Sequence, residues 1–165
     1  MLAVAAAIVH SLGEMKTYKR NLATRLINWW FRTLTKLGLG ASYRQILTVP
    51  GRKTGRPHST PVDVIDVDGD RWLVAGYGPA SWVLNTRARG EVMLSRGSHS
   101  ETYKVEEVRG EEAIPVLRKY IAKIRVTRPY FGAAANSSDE AVAAELSRHA
   151  VFRLIPSTPS RGENG

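Results

Sequence analysis

Six short runs of β-branched and aromatic residues, each closed off by turn-forming residues, limit this chain to an antiparallel strand architecture. They are "YRQILTV" (43–49), "TPVDVIDV" (60–67), "RWLVAGY" (71–77), "EVMLSR" (91–96), "ETYKVEEV" (101–108) and "HAVFRLIP" (149–156). Between Val67 and Asp70 stands Asp-Gly, the residue pair that a two-residue primed hairpin turn demands. "RGSHS" (96–100) predicts a second hairpin. Helical patterns interrupt the strands at three places: "ASWVLNTRA" (80–88), "GEEAIPVLRKYIAKI" (110–124) and "SSDEAVAAELSR" (137–148). The last begins on capping residues, and Pro115 is tolerated in the first turn of the second. The regular βαβα alternation of a doubly wound sheet is missing. The pattern predicts an α+β fold: a partly open antiparallel barrel with helices packed outside it.

The chain ends are different in character. Leu22, Leu26, Trp30, Leu34 and Leu37 recur at helical spacing and predict an amphipathic helix over 17–38, stopped by Gly38 and Gly40. Its apolar stripe packs on the core, or rests on an anionic membrane surface through the neighbouring Arg25, Arg32 and Lys36. The apolar run at the start is too short to span a bilayer, and Met15 is a plausible alternative start. Residues 1–16 therefore read as an extension, 17–156 as one domain and 157–165 as a polar tail.

Between the first two strands lies "PGRKTGRPH" (50–58). Gly51 and Gly55 let the backbone turn tightly, and Arg52, Lys53, Thr54, Arg56 and His58 crowd that turn with donors. Such a loop either holds a phosphate or a run of carboxylates, or is a solvated turn that keeps a strand edge soluble. The formal charge of +9 favours an anionic partner. Nucleic acid is disfavoured, because the aromatic residues are not interleaved with basic ones along the strands. The chain has no cysteine, and its histidines at 10, 58, 99 and 149 lack metal-ligand spacing, so no metal site is expected. "GRKTG" is not a P-loop, since Arg52 precedes Lys53 where that motif needs glycine. No GxGxxG or GxSxG pattern is present. Asp63 and Asp66 fall on opposite faces of one strand, which excludes a carboxylate dyad there.

After the third strand, "VAGYGPASWVLNTRARGEV" brings glycines at 76 and 78 that let a flat ring approach the backbone, and a helix start that offers N–H groups to an anion. Asn85 and Arg89 lie one turn apart on that helix; Trp82 reads as core or as a stacking surface. Taken together, "LTVPGRKTGRPHSTPV", "DGDRWLVAGYG" and "SWVLNTRARGEV" resemble the deazaflavin-dependent nitroreductase family, over about Tyr43 to Arg96. That resemblance implies a split β-barrel of the FMN-binding type and the coenzyme F420, a deazaflavin with a phosphate and an oligoglutamyl tail; FMN or FAD are the alternative cofactors.

By the resemblance, Arg52, Lys53 and Thr54 hold the phosphate and acidic tail, with His58 standing where the family usually has arginine. Pro61 lies against the deazaflavin edge, Ala75, Gly76 and Tyr77 line the ring, and Trp82 and Asn85 close the phosphate side. The stretch before Trp82 is shorter than usual for the family. The implied activity is hydride transfer from the reduced cofactor to a quinone, a nitroaromatic or an activated enone. Tyr130, in "RPYFG", is the candidate for substrate lining or proton donation, against a structural role. The competing expectation is a non-catalytic flavin, deazaflavin or lipid carrier on the same barrel. The expected setting is the cytoplasm, with contact to the inner face of the plasma membrane through 17–38 as an option, as monomer or homodimer.

Overall fold

The structure, a computed structural model, describes residues 40–157. The extension at 1–16, the helix expected over 17–38 and the tail from 158 onward lie outside the described residues. Six antiparallel strands form a closed barrel in the order β1-β2-β3-β6-β5-β4. They are β1 (Arg44–Pro50), β2 (Pro57–Val67), β3 (Asp70–Val74), β4 (Glu91–Arg96), β5 (His99–Val108) and β6 (Val151–Pro156). The barrel is closed rather than partly open, because Ile46, Leu47 and Thr48 of β1 also pair with Ser95, Leu94 and Met93 of β4.

Turn chemistry sets the register. Asp68 and Gly69 both take positive φ (52° and 86°), the backbone of a primed two-residue turn, and Val67 pairs with Asp70 across it. Gly97 and Ser98 form the β4–β5 turn, with Arg96 opposite His99.

Alternation along the strands then builds two cores. Leu47, Val49, Val62, Val64, Leu73, Leu94 and Phe152 fill the barrel interior. Helix α1 (Ser81–Arg89) contributes Val83 to this interior. Ile65, Val67, Trp72, Val74 and Val151 point outward and are covered by α2 (Ala113–Lys123), which buries Val116, Leu117, Tyr120 and Ile121 against them. Pro115 does sit in the first turn of α2. A 3₁₀ turn (Arg125–Tyr130) follows, an element the sequence pattern did not predict. Six residues with Val126, Thr127 and Pro129 carry no helical period; the turn is held instead by Thr127 Oγ1 and Arg128 Nε, which donate to the carbonyls of Ile124 and Ile121 (2.9 and 2.8 Å). Helix α3 (Asp139–Glu145) is capped by the Ser138 hydroxyl, which accepts from the Ala141 amide. Among the described residues no helix is long and apolar enough to cross a membrane.

Candidate functional site

The basic turn between β1 and β2 is pinned from behind rather than loose. Within it, the Gly51 amide donates to the Arg56 carbonyl and the Gly55 amide to the Gly51 carbonyl, both at 2.8 Å. Helix α1 clasps it from the barrel end. Buried Asn85 uses one oxygen, Oδ1, to accept from both the Arg52 amide (3.1 Å) and Arg52 Nη1 (3.0 Å). One helical turn on, Arg89 Nη2 donates to the Gly51 carbonyl at 2.8 Å. A side chain on Gly51 would meet His58 Nε2 at 2.9 Å and Thr54 Oγ1 at 3.2 Å, so those two residues pack closely over the turn. Arg52, Lys53, Thr54, Arg56 and His58 remain exposed, and no acidic residue stands between Pro50 and Val62. The donor set is therefore cationic, preorganised and open to solvent, which suits phosphate and carboxylate groups.

From this turn a polar track runs down the outer face of the β1–β2 hairpin. Thr48 and Ser59 share a hydroxyl–hydroxyl hydrogen bond (2.8 Å). Pro61 lies two positions further along the same face, opposite Ile46. Asp63 comes next, opposite Arg44, whose Nε donates to Asp63 Oδ1 at 2.9 Å. Ser59 to Asp63 covers about 13 Å at the usual strand rise. Both members of this ion pair are withdrawn from water, the Asp63 side chain to 3 % exposure and that of Arg44 to 12 %. Burial works against the Arg44 charge, but the adjacent Asp63 carboxylate raises its pKa above the ordinary value.

Tyr120 closes the track from α2. Its hydroxyl donates over 3.4 Å to Asp63 Oδ2 and lies under the backbone of Gly76. Burial, and then the Asp63 charge, push that hydroxyl well above the usual phenol range, so Tyr120 stays protonated. The glycine at 76 thus has a specific reason. A Cβ there would fall 2.1 Å from the Tyr120 oxygen and 2.8 Å from two ring carbons. Gly76→Ala is expected to destabilise the fold by about 1–3 kcal/mol through overpacking. Tyr120→Phe in the same chain should recover only part of that loss in a denaturant melt, because the ring carbons remain.

The other residues singled out from sequence fall as follows. Tyr77 meets Tyr130 edge to face, with centroids 5.0 Å apart, so the β3 exit and the end of the 3₁₀ turn share one aromatic surface. Ala75 is buried, and its backbone is engaged within the chain: its amide donates to the Ala150 carbonyl, and its carbonyl accepts from the Gly78 amide (2.9 Å each). Trp82 is half-buried and tilts against Phe152 at 6.2 Å, packing on the barrel interior. Arg52, Lys53, Thr54, His58 and Asn85 are brought together at the turn, Pro61 lies on the hairpin wall, and Tyr77 pairs with Tyr130 just after β3, which runs back alongside β2 toward the turn. Arg89 braces the turn, and Arg44, Asp63 and Tyr120 form a buried polar group behind the hairpin; none of the four was selected from sequence as a site residue. A cavity of about 550 Å³ also opens at the β4–β5 turn, lined by Arg71, Arg96, His99, Glu101 and Tyr103 among others. It holds none of the candidate residues.

A closed six-stranded antiparallel barrel with outer helices and a cationic turn leading onto its outer wall defines a split-barrel protein of the flavin-binding type. Residues 24–143 match the family model described as F420H(2)-dependent quinone reductase, and the chain belongs to that family. It is accordingly an oxidoreductase that uses coenzyme F420. No curated protein matches the sequence. Among solved structures, one described as a domain-swapped dimer shares the fold at 17 % identity, covering 80 % of this chain and 98 % of its own, with a TM-score of 0.52. The F420-H2 dependent reductase FDR-A is 22 % identical over 68 % of this chain and 94 % of its own, at a TM-score of 0.43. The heme storage protein HutZ from Vibrio cholerae is 12 % identical over 83 % and 91 %, at 0.48.

Proposed function

We propose that the chain reduces a quinone at the expense of reduced F420, with the cofactor's acidic end at the 51–56 turn and the reaction taking place near Tyr77 and Tyr130. One observation carries this reading: an acid-free cationic turn, pinned by Asn85 and Arg89, stands at the head of the β1–β2 hairpin, and the chain leaving neighbouring β3 carries an aromatic pair, Tyr77 with Tyr130. A cationic turn and a nearby pair of aromatic rings suit a molecule with an acidic tail and a ring. When bound, the reduced deazaflavin supplies a hydride.

The protein's own share is binding and orientation. Arg52 and Lys53 neutralise phosphate and carboxylate oxygens, and Thr54 adds a hydroxyl. Asn85 acts behind them by fixing Arg52. Asn85→Ala is expected to weaken F420 binding by about 1–2 kcal/mol, read by fluorescence titration, with the KM for the acceptor unchanged. Pro61 forms a rigid, donor-free stretch of wall beside the hydroxyls of Thr48 and Ser59. In this reading Tyr77 and Tyr130 offer ring faces for a planar acceptor, and the Tyr130 hydroxyl gives the product its proton. Membrane-borne quinones are the acceptors most compatible with the basic, Trp-bearing segment 17–38, and nitroaromatics or enones are the other electron-poor classes to assay.

Pure protein mixed with reduced F420 and menadione is expected to turn over many equivalents, followed by the absorbance of oxidised deazaflavin. Tight binding with no turnover on quinones, nitroaromatics or enones would instead make the protein a carrier.

A further inference from the structure

His149 stands just after α3, fully buried, with each ring nitrogen aimed at oxygen. Nδ1 lies 2.8 Å from the Ala75 carbonyl, and Nε2 lies 3.2 Å from the Tyr130 carbonyl and 3.6 Å from Glu145 Oε2. Phe131 stacks on the ring at 3.9 Å. Glu145 is itself buried, and its Oε1 accepts from the amides of Gly132 (2.7 Å) and Ala133 (2.8 Å). Its Oε2 has no hydrogen-bond partner among the described residues. One histidine therefore joins the residue before Gly76 to the loop that carries Tyr130, and one glutamate ties the rest of that loop to α3.

We propose that His149 and Glu145 form a strap that positions Tyr130 against the Ala75–Tyr77 segment, and that acid releases it. This rests on the reading that Tyr130 lines the acceptor side. A neutral imidazole has one N–H. The shorter contact places that proton on Nδ1, donated to the Ala75 carbonyl. The Nε2 lone pair then faces the Tyr130 carbonyl and Glu145 Oε2, which are acceptors only. Of the charged groups facing the ring, Glu145 on α3 favours its protonation and neighbouring Arg148 opposes it; Tyr130 offers its carbonyl, and Phe131 and Ala75 are apolar. Burial outweighs the raising influence of the Ala75 carbonyl and Glu145, and holds His149 below the ordinary imidazole value. A ring that resists charging when buried but accepts a proton when exposed favours the open loop as pH falls. Opening should increase by up to about tenfold per pH unit between about pH 6.5 and the lower folded value.

Glu145→Gln separates this strap from ordinary packing. The amide oxygen can still accept from Gly132 and Ala133, while its NH₂ turns toward the Nε2 lone pair and satisfies the neutral ring. The variant should hold the loop more tightly and lower His149 further, because the favouring carboxylate is gone. The experiment is ¹⁵N NMR of the His149 ring and hydrogen exchange at Gly132 and Ala133, on cofactor-free protein across pH 4.5–7.5 (roughly the window in which imidazole titrates). The expected result is an Nδ1–H ring that titrates below the ordinary value. Protection factors, corrected for intrinsic exchange, should start higher in Glu145→Gln and fall with acid in both proteins, and should go on falling in Glu145→Gln below the pH at which the wild type levels off. His149→Asn, which keeps a short donor near Ala75, should lower protection at every pH. A wild-type ring titrating at the ordinary value, or the same exchange profile in wild type and Glu145→Gln, would overturn the strap. In the loaded enzyme the KM for menadione should rise with acid in the wild type, and over a wider pH range in Glu145→Gln. Tyr130→Phe tests the other reading separately: unchanged turnover would remove Tyr130 from the acceptor side while leaving the exchange result standing.

Discussion

Replacing Arg52 and Lys53 together by alanine is expected to weaken F420 binding by about 2–5 kcal/mol, roughly thirty- to several-thousand-fold in Kd. Two charge-assisted contacts are lost, each stronger than a neutral hydrogen bond. The fold should be nearly unaffected. Both side chains are exposed, and the contact from the Arg52 amide to Asn85 Oδ1 survives in the variant because it comes from the backbone. Calorimetric titration of the folded variant checks this, with circular dichroism to confirm the fold. The remaining affinity should also lose part of its salt dependence, since fewer charges face the ligand. Unchanged affinity would place the anion elsewhere.

The second large effect lies one strand face away. Asp63→Ala is expected to cost about 3–5 kcal/mol of folding stability, because it leaves the Arg44 charge buried without its carboxylate. Tyr120 loses an acceptor at the same time. Replacing the pair by apolar residues, Asp63→Leu with Arg44→Met, should be far milder and close to neutral, since removing both charges also removes their desolvation cost. Chemical denaturation of the two variants reads the difference. If the double variant still folds but binds F420 weakly, the pair contributes to the binding wall as well as to the fold.

These two sites differ in how far they could be read from sequence. The basic turn was legible because glycines, a proline and like charges concentrate in a few residues between apolar runs. What the turn is fastened to was half visible: Asn85 and Arg89 were spaced one helical turn apart, but nothing in their spacing says that α1 plugs the barrel end behind Gly51. Arg44 and Asp63 were also within reach. They stand equally far from the centre of the turn, so any regular hairpin places them opposite each other. Parity correctly kept Asp63 apart from Asp66, and the outward side it shares with Ile65 and Val67 is buried by α2 rather than open to water.

Other features depend on tertiary contacts that no local pattern encodes. Gly76 suggested room for a ligand, yet the space on its Cβ side belongs to Tyr120, more than forty residues later in the chain. His149 showed no metal-ligand spacing and had no further signal. The role proposed for it follows from two carbonyls and a carboxylate brought together from the residue after β3, the 3₁₀ turn and α3. The strands fared best, since the Asp68-Gly69 and Gly97-Ser98 turns set their register directly. Barrel closure did not follow from those turns, because it depends on the β1–β4 pairing of residues far apart in sequence.

The most direct measurement compares wild-type affinity for F420 with that for the same deazaflavin stripped of its phosphate and glutamyl tail, by calorimetry at low and high salt. If the cationic turn grips the acidic end, F420 should bind far more tightly, and added salt should narrow the gap. Equal affinity for the two compounds at every salt concentration would contradict the account.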